Sequence, residues 1–183
     1  MTDADAELML RFRSGDRSAF DQLFRRYTPP LVNFLARMVP DRGRAEELAQ
    51  ETFVRIYQAR DRYEARARFS TYLFGIAHRL ALNELARAYR RRERPLEPQT
   101  VGRAADPAPA ADLDYAARRT GEAVERAIAG LPERQRSALM LRVHEEMSHE
   151  DIAETLGASV SGVKSLLHRA RANLAAELKE TRE

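Results

Sequence analysis

The chain has no cysteine and no tryptophan among its 183 residues. Without thiols there is neither a disulfide nor a thiolate metal site, and a reducing compartment fits. Lysine is almost missing too: of 31 Lys plus Arg, only Lys164 and Lys179 are Lys. Glycine numbers eight and forms no phosphate-cradling loop. No apolar run approaches the ~20 residues that span a bilayer, so direct membrane insertion is not expected. Met1 to Asp5 are acidic in character and lack the apolar core of a signal peptide. These absences point to the cytoplasm.

Hydrophobic residues make up 44% of the chain and charged residues 32%, so a core is affordable but must sit behind heavily charged faces. Strand formers are few, and Ala, Leu, Arg and Glu dominate, as in a mostly helical protein. The formal net charge is only +3. Arg binds phosphate and base edges bidentately, which suits nucleic acid. A GC-rich genome would favour Arg over Lys equally well, so position must decide.

The pattern predicts an all-α protein of two small helical domains, residues 1–92 and 116–183, joined by a flexible linker at 93–115. In the first domain Phe20, Leu23, Phe24, Tyr27, Leu31, Phe34, Leu35 and Met38 form one apolar stripe of period 3.6. Pro29 and Pro30 should kink or divide that helix. Pro40 to Gly43 reads as a turn. A second helix is predicted from about Arg44 to Arg60 and a third from about Ser70 to Arg91. Residues 93–115 hold four of the eight prolines and no helical stripe. There Glu93, Glu97, Asp106, Asp112 and Asp114 outnumber Arg94 and Arg103. Four helices follow, from about 116–130, 133–144, 148–156 and 160–178.

The stretch from His149 to His168 reads as a helix-turn-helix. Ser148 and Asp151 have capping-box spacing, Ile152 and Leu156 point inward, and Ala153 is small enough for close helix approach. Gly157 falls where a left-handed turn is needed, and Ser159 can cap the next helix. Val163 and Leu166 should close the core. The spacing of Ala153, Gly157 and Val163 is that of two steeply crossed helices. The second helix offers a basic outer face made by Ser161, Lys164, Ser165, His168 and Arg169, as a helix in the major groove requires. A plain helical pair with a glycine turn would share the spacing but has no need of that face.

Two further motifs stand out. Ala45 to Phe53 is an amphipathic helix on which Glu47, Gln50 and Glu51 share a polar patch able to dock a basic partner helix; a solvated charge run looks the same. Tyr63 to Tyr72 interleaves aromatic residues with Arg66 and Arg68, and the following helix carries Arg79, Asn83 and Arg87 every four residues. Rings stack on unpaired bases while Arg meets phosphate, which would give Tyr63, Arg66, Arg68, Phe69, Arg79, Asn83 and Arg87 a role on single-stranded DNA. Core aromatics beside a basic helix end give the same sequence.

In their order, these motifs resemble the extracytoplasmic-function (ECF) subfamily of bacterial sigma factors, which keep regions two and four. Ala45 to Arg55 resembles region 2.2, where the family docks on the β′ coiled coil of RNA polymerase. Phe69 to Arg92 resembles regions 2.3 and 2.4, which recognise the −10 promoter element. Leu131 to Arg136 opens a stretch similar to region 4, and Val160 to Ser165 with His168 to Arg171 match its −35-reading helix. Tyr72 stands where the family often has Trp, Arg79 where it often has Asn, and Asn83 where Asp is common. The resemblance implies a transcription initiation factor whose partners are core RNA polymerase (β′ coiled coil and β subunit), promoter DNA and an anti-sigma factor, with no small-molecule substrate, no cofactor and no metal.

An enzyme fits poorly. His144-Glu145 and His149-Glu150 lack the second His four residues on that a zinc hydrolase needs. Ser161 to Lys164 has a Ser-x-x-Lys spacing but no companion motifs, and it lies inside the helix-turn-helix. A response regulator would need an α/β receiver, which helical periodicity in the first ninety residues argues against. A generic two-domain DNA-binding regulator is the remaining alternative.

Overall fold

A computed structural model describes residues 3–93 and 112–180, with side chains from 3 to 91 and from 121 to 179. Every regular element among the described residues is helical. α1 (Ala4–Arg13), α2 (Arg17–Met38), α3 (Arg42–Gln58) and α4 (Phe69–Glu93) form the first group, with a short 3-10 turn at Arg60–Arg62. α5 (Asp112–Ala129), α6 (Glu133–Val143), α7 (His149–Leu156) and α8 (Val160–Glu180) form the second.

The all-α reading holds, with corrections at the boundaries. α1 was not anticipated; its acidic start hides an apolar side of Leu8, Met9 and Phe12, all buried. α2 is one unbroken helix through Pro29 and Pro30. Two prolines remove the bonds to the Arg25 and Arg26 carbonyls, at a cost of ~3 kcal/mol or more for an interior proline. Leu23 on one side and Leu31, Phe34 and Leu35 on the other are buried in the same core, so packing outweighs the loss. The turn predicted at Pro40 to Gly43 is shorter, because Asp41 caps α3 by accepting the Arg44 N–H at 3.0 Å. Asp16 caps α2 in the same manner, through Ser18 and Ala19. Its hydrogen bonds to Ser18 and Arg11 hold its carboxyl down to about 2.

α4 begins at Phe69, not at Ser70, and its first N–H is capped from a distant segment. The Asp3 carboxylate accepts the Phe69 N–H at 2.7 Å. α5 starts at Asp112, so the last residues assigned to the linker are helical. The rest of that segment, 94–111, lies outside the described residues.

The two groups share one continuous apolar core, running from Leu23, Phe34, Leu73 and Phe74 to Met140, Ile152 and Leu167. α4 packs on α7, and α2 packs on α6.

Candidate nucleic-acid and polymerase interfaces

The helix-turn-helix forms as its sequence requires. Ser148 Oγ accepts the Asp151 N–H at 3.0 Å, and Asp151 Oδ2 accepts the Ser148 hydroxyl at 2.7 Å and its N–H at 3.3 Å. Gly157 ends α7 at φ 58°, the left-handed region where a side chain is strained. Ser159 Oγ then accepts the Gly162 N–H at 3.1 Å and caps α8. Ile152, Ala153, Leu156, Val163, Leu167 and Ala170 are buried between the helices; Leu166, expected to close that core, is only half-buried.

This packing turns one side of α8 outward. Ser161, Lys164, Ser165, His168 and Arg169 are all exposed on it. Lys164 and Arg169 form no ion pair among the described residues, so their charge is free for an external anion, and His168 lies exposed beside them. An exposed cationic face on a helix held by a capped turn is the geometry of major-groove docking.

The α4 side is more divided. Arg79, Asn83 and Arg87 are exposed along α4, as their spacing predicted. Arg66 is exposed and paired with Glu64. Arg68 is exposed and lies 3.8 Å from Asp151 of α7. Tyr63 and Phe69 are a correction: they are 4% and 0% exposed, so neither ring offers a face to a base. Tyr63 packs on Tyr72 at 5.2 Å, Phe69 packs on Tyr27 at 5.2 Å, and the Tyr63 carbonyl accepts from Arg13 at 2.8 Å. Burial pushes the Tyr63 hydroxyl up to about 12. Apolar area outweighs any binding role here, because withdrawing a ring from water is worth about 1.5–3 kcal/mol. Tyr72 is the half-buried ring of the trio, seven positions before Arg79 and therefore on the same helical face. The sequence marks it as an aromatic where the resembled family often has Trp; its accessibility comes from the fold.

On α3, Glu47 and Gln50 are exposed and Glu51 is half-buried. Glu47 is held by Arg44 at 2.6 Å and Glu51 by Arg55 at 2.7 Å. Gln50 stands free at the rim of a shallow groove of about 450 Å³ between α2 and α3, lined by Phe20, Phe24, Phe53, Val54 and Tyr57. Phe24, Val54 and Tyr57 are 40%, 51% and 41% exposed. Phe24 reads as core from periodicity alone, and only the fold shows that nothing in the described chain covers these three side chains.

The described helices thus form two parts: a helical unit with an exposed aromatic groove, and a helix-turn-helix unit of the kind that docks in duplex DNA. The sigma-70 region 2 family model matches residues 23–92, and the sigma-70 region 4 model matches residues 121–174. The RNA polymerase sigma-H factor of Pseudomonas aeruginosa is 33% identical over 182 residues, covering 92% of this chain and 91% of that protein. The ECF sigma factor SigM of Mycobacterium tuberculosis is 35% identical, covering 94% and 83%. Among solved structures, CnrH in complex with the cytosolic domain of CnrY superposes with a TM-score of 0.72 at 28% identity, over 97% of this chain and 99% of that one. The sigma factor RpoE of Bartonella quintana, in complex with the anti-sigma factor NepR, gives 0.70 at 25% identity, over 87% and 96%.

The chain belongs to the ECF subfamily of the sigma-70 family. It is a transcription initiation factor that directs core RNA polymerase to promoters, and its family is non-catalytic. No described helix is long and apolar enough to cross a membrane.

Proposed function

We propose that three separate surfaces divide the work of initiation. The groove between α2 and α3, with Glu47, Gln50 and Glu51 on its rim, docks core polymerase. An apolar floor with a polar edge is the composition of a protein interface, and exposed aromatics are its usual anchors. The outer face of α4 takes the −10 element: Arg66, Arg68, Arg79 and Arg87 meet phosphate, Asn83 offers a donor and an acceptor to a base edge, and Tyr72 supplies the ring. The outer face of α8 reads the −35 element in duplex through Ser161, Lys164, Ser165, His168 and Arg169. Residues 1–92 and 116–183 act as the two working units, with 93–115 between them, in the cytoplasm. CnrH and RpoE are each seen with a binding protein, and this chain would be held by an anti-sigma factor in the same way.

The observation that carries the reading is the unpaired cationic face of α8, presented by a capped helix-turn-helix. Run-off transcription with purified core polymerase tests it. Addition of the protein should confer promoter-specific initiation on core enzyme. Binding to DNA without initiation would leave a plain regulator.

A further inference from the structure

The loop between the 3-10 turn and α4 is exposed from Glu64 to Arg68, apart from a half-buried Ala67, and is buried at both rims. Tyr63 stands at one rim and Phe69 at the other. Within the loop the Arg66 N–H donates to the Glu64 carbonyl at 2.9 Å, and the Arg66 side chain pairs with Glu64. Neither bond ties the loop to another element. The Arg68 side chain lies 3.8 Å from Asp151, too long for a hydrogen bond. The course of the loop is therefore set from its ends.

One helix reaches both ends. Arg13, the last residue of α1, donates from Nη1 to the Tyr63 carbonyl at 2.8 Å. Asp3, at the opposite end of α1, accepts the Phe69 N–H at 2.7 Å. The Tyr63 hydroxyl is buried without a partner, so its ring makes no polar tether, and Arg13 supplies one at that rim. α1 packs on both the 3-10 turn and α4. Its ten residues form a rod about 15 Å long. The chain from Tyr63 to Phe69 reaches at most ~20 Å when fully extended. A stiff element of the loop's own scale thus spans a pliant one.

α1 is fixed in its turn. Leu8, Met9 and Phe12 are buried. Asp5 is also buried; it pairs with Arg26 and accepts the Tyr27 hydroxyl at 2.7 Å, both on α2. Burial and the Asp5 carboxylate push the Tyr27 hydroxyl pKa well up, which keeps it protonated and donating. The Tyr27 ring lies 5.2 Å from that of Phe69, so the second rim is braced through α2 as well. Asp3 gives α1 no side-chain cap, although a residue of its type in that position usually serves its own helix. Its carboxylate serves the loop instead.

We propose that α1 is a splint for the loop at 63–69, and that Asp3 and Arg13 are positioning residues that hold Arg66 and Arg68 where single-stranded DNA meets them. The proposal rests on the −10 assignment of that loop. Neither Asp3 nor Arg13 needs to touch DNA. A loop held at both rims is ordered before the strand arrives, whereas a loosened one must be ordered by the strand. Affinity then scales with the fraction of molecules whose loop already has the receiving shape.

The chain has no cysteine, so Ala65→Cys carries a single nitroxide in the exposed middle of the loop. Asp3→Ala and Arg13→Ala should each sharpen its spectrum, the mark of a freer loop, at a temperature where circular dichroism shows every variant folded. Asp3→Asn and Arg13→Lys, which keep an acceptor and a donor, should leave the spectrum near that of the parent. Without the label, each Ala variant should bind a random single-stranded DNA pool about tenfold more weakly, as when the receiving shape falls to roughly a tenth of molecules. Random-duplex affinity should be unchanged, because α8 is untouched. The salt slope of strand binding should also be unchanged in Arg13→Ala; a fall of about 0.7 would make Arg13 a phosphate contact and overturn its positioning role. An unaltered spectrum in both Ala variants overturns the splint. A freer loop with full strand affinity overturns it too, provided that Arg66→Ala with Arg68→Ala weakens strand binding. If that pair of substitutions leaves affinity intact, the −10 assignment falls instead, and the spectrum alone decides whether α1 sets the loop.

Discussion

Asp3 sits at the start of α1, yet its carboxylate accepts the backbone N–H of Phe69, 66 positions away, at 2.7 Å. The residue in the capping position of one helix thus leaves that helix without a side-chain cap and begins another. It ties the N-terminal segment to the loop that precedes α4 and carries Arg66 and Arg68.

Asp3→Ala should therefore destabilise the protein by about 1 kcal/mol, the usual cost of a lost cap. It should also weaken single-stranded DNA binding, because the loop carrying Arg66 and Arg68 loses its anchor. Urea denaturation alongside strand binding checks this. A loss of stability with unchanged DNA binding would confine Asp3 to a structural part.

At the groove proposed to dock polymerase, Val54→Asp places a charge in the middle of an exposed apolar floor, where it touches no buried residue's hydrogen bond. Core affinity should fall more than tenfold with helicity intact, in keeping with truncated or charged interface anchors. Replacing Glu47, Gln50 and Glu51 together with Ala should weaken binding less, since two of the three are already satisfied by Arg44 and Arg55. Fluorescence titration with core enzyme compares the two, and equal affinity in both would move docking to another face.

On α8, Lys164→Ala and Arg169→Ala separate phosphate contact from base reading. A phosphate contact lowers affinity evenly across sequences and reduces the salt slope by about 1. A base contact costs about 1–3 kcal/mol on the preferred sequence and relaxes preference at one position. Arg169, further from the capped start of α8, should behave as the phosphate contact, and Lys164 as the base contact. Binding across a salt series on selected and random duplexes distinguishes them.

Acid should destabilise the protein through His78. Burial, with Arg134 and Arg79 nearby, holds its pKa down to about 4 from the ordinary 6.5. Between those values the unfolded chain binds the proton and the folded one does not. Stability therefore falls as pH drops from about 6.5 toward 4, by up to about 3 kcal/mol. His78→Leu should flatten that part of the stability profile, measured as urea midpoints between these pH values. The same slope in the variant would assign the acid loss to another group.

Glu146 holds φ 50° in the turn between α6 and α7, the only non-glycine residue with positive φ among the described residues. Glycine tolerates that backbone without the clash of a Cβ. Glu146→Gly should raise stability by up to about 1 kcal/mol, and Glu146→Val should lower it; thermal melts of the pair suffice.

Much of this was legible in the chain. Capping pairs and glycine turns act within a few residues, so Ser148 with Asp151, Gly157 and Ser159 place the helix-turn-helix without reference to anything distant. Given that helix, a period of 3.6 sends Lys164, His168 and Arg169 outward, and the same logic exposes Arg79, Asn83 and Arg87. These are consequences of local geometry, and the sequence by itself determines them.

Tertiary packing decided the rest, because burial is a property of what lies opposite. Tyr63 and Phe69 look like base-stacking rings until Tyr27 and Tyr72 close over them. Phe24 and Tyr57 look like core until α2 and α3 leave their outer side open. α2 survives two prolines because its flanking leucines are buried, and α4 starts where Asp3 reaches it. The contact of Asp151 with Thr71 joins positions 80 residues apart, and no periodicity within either helix encodes it. Local rules govern which face a residue occupies; only the assembled helices determine whether that face meets water, a neighbour or DNA.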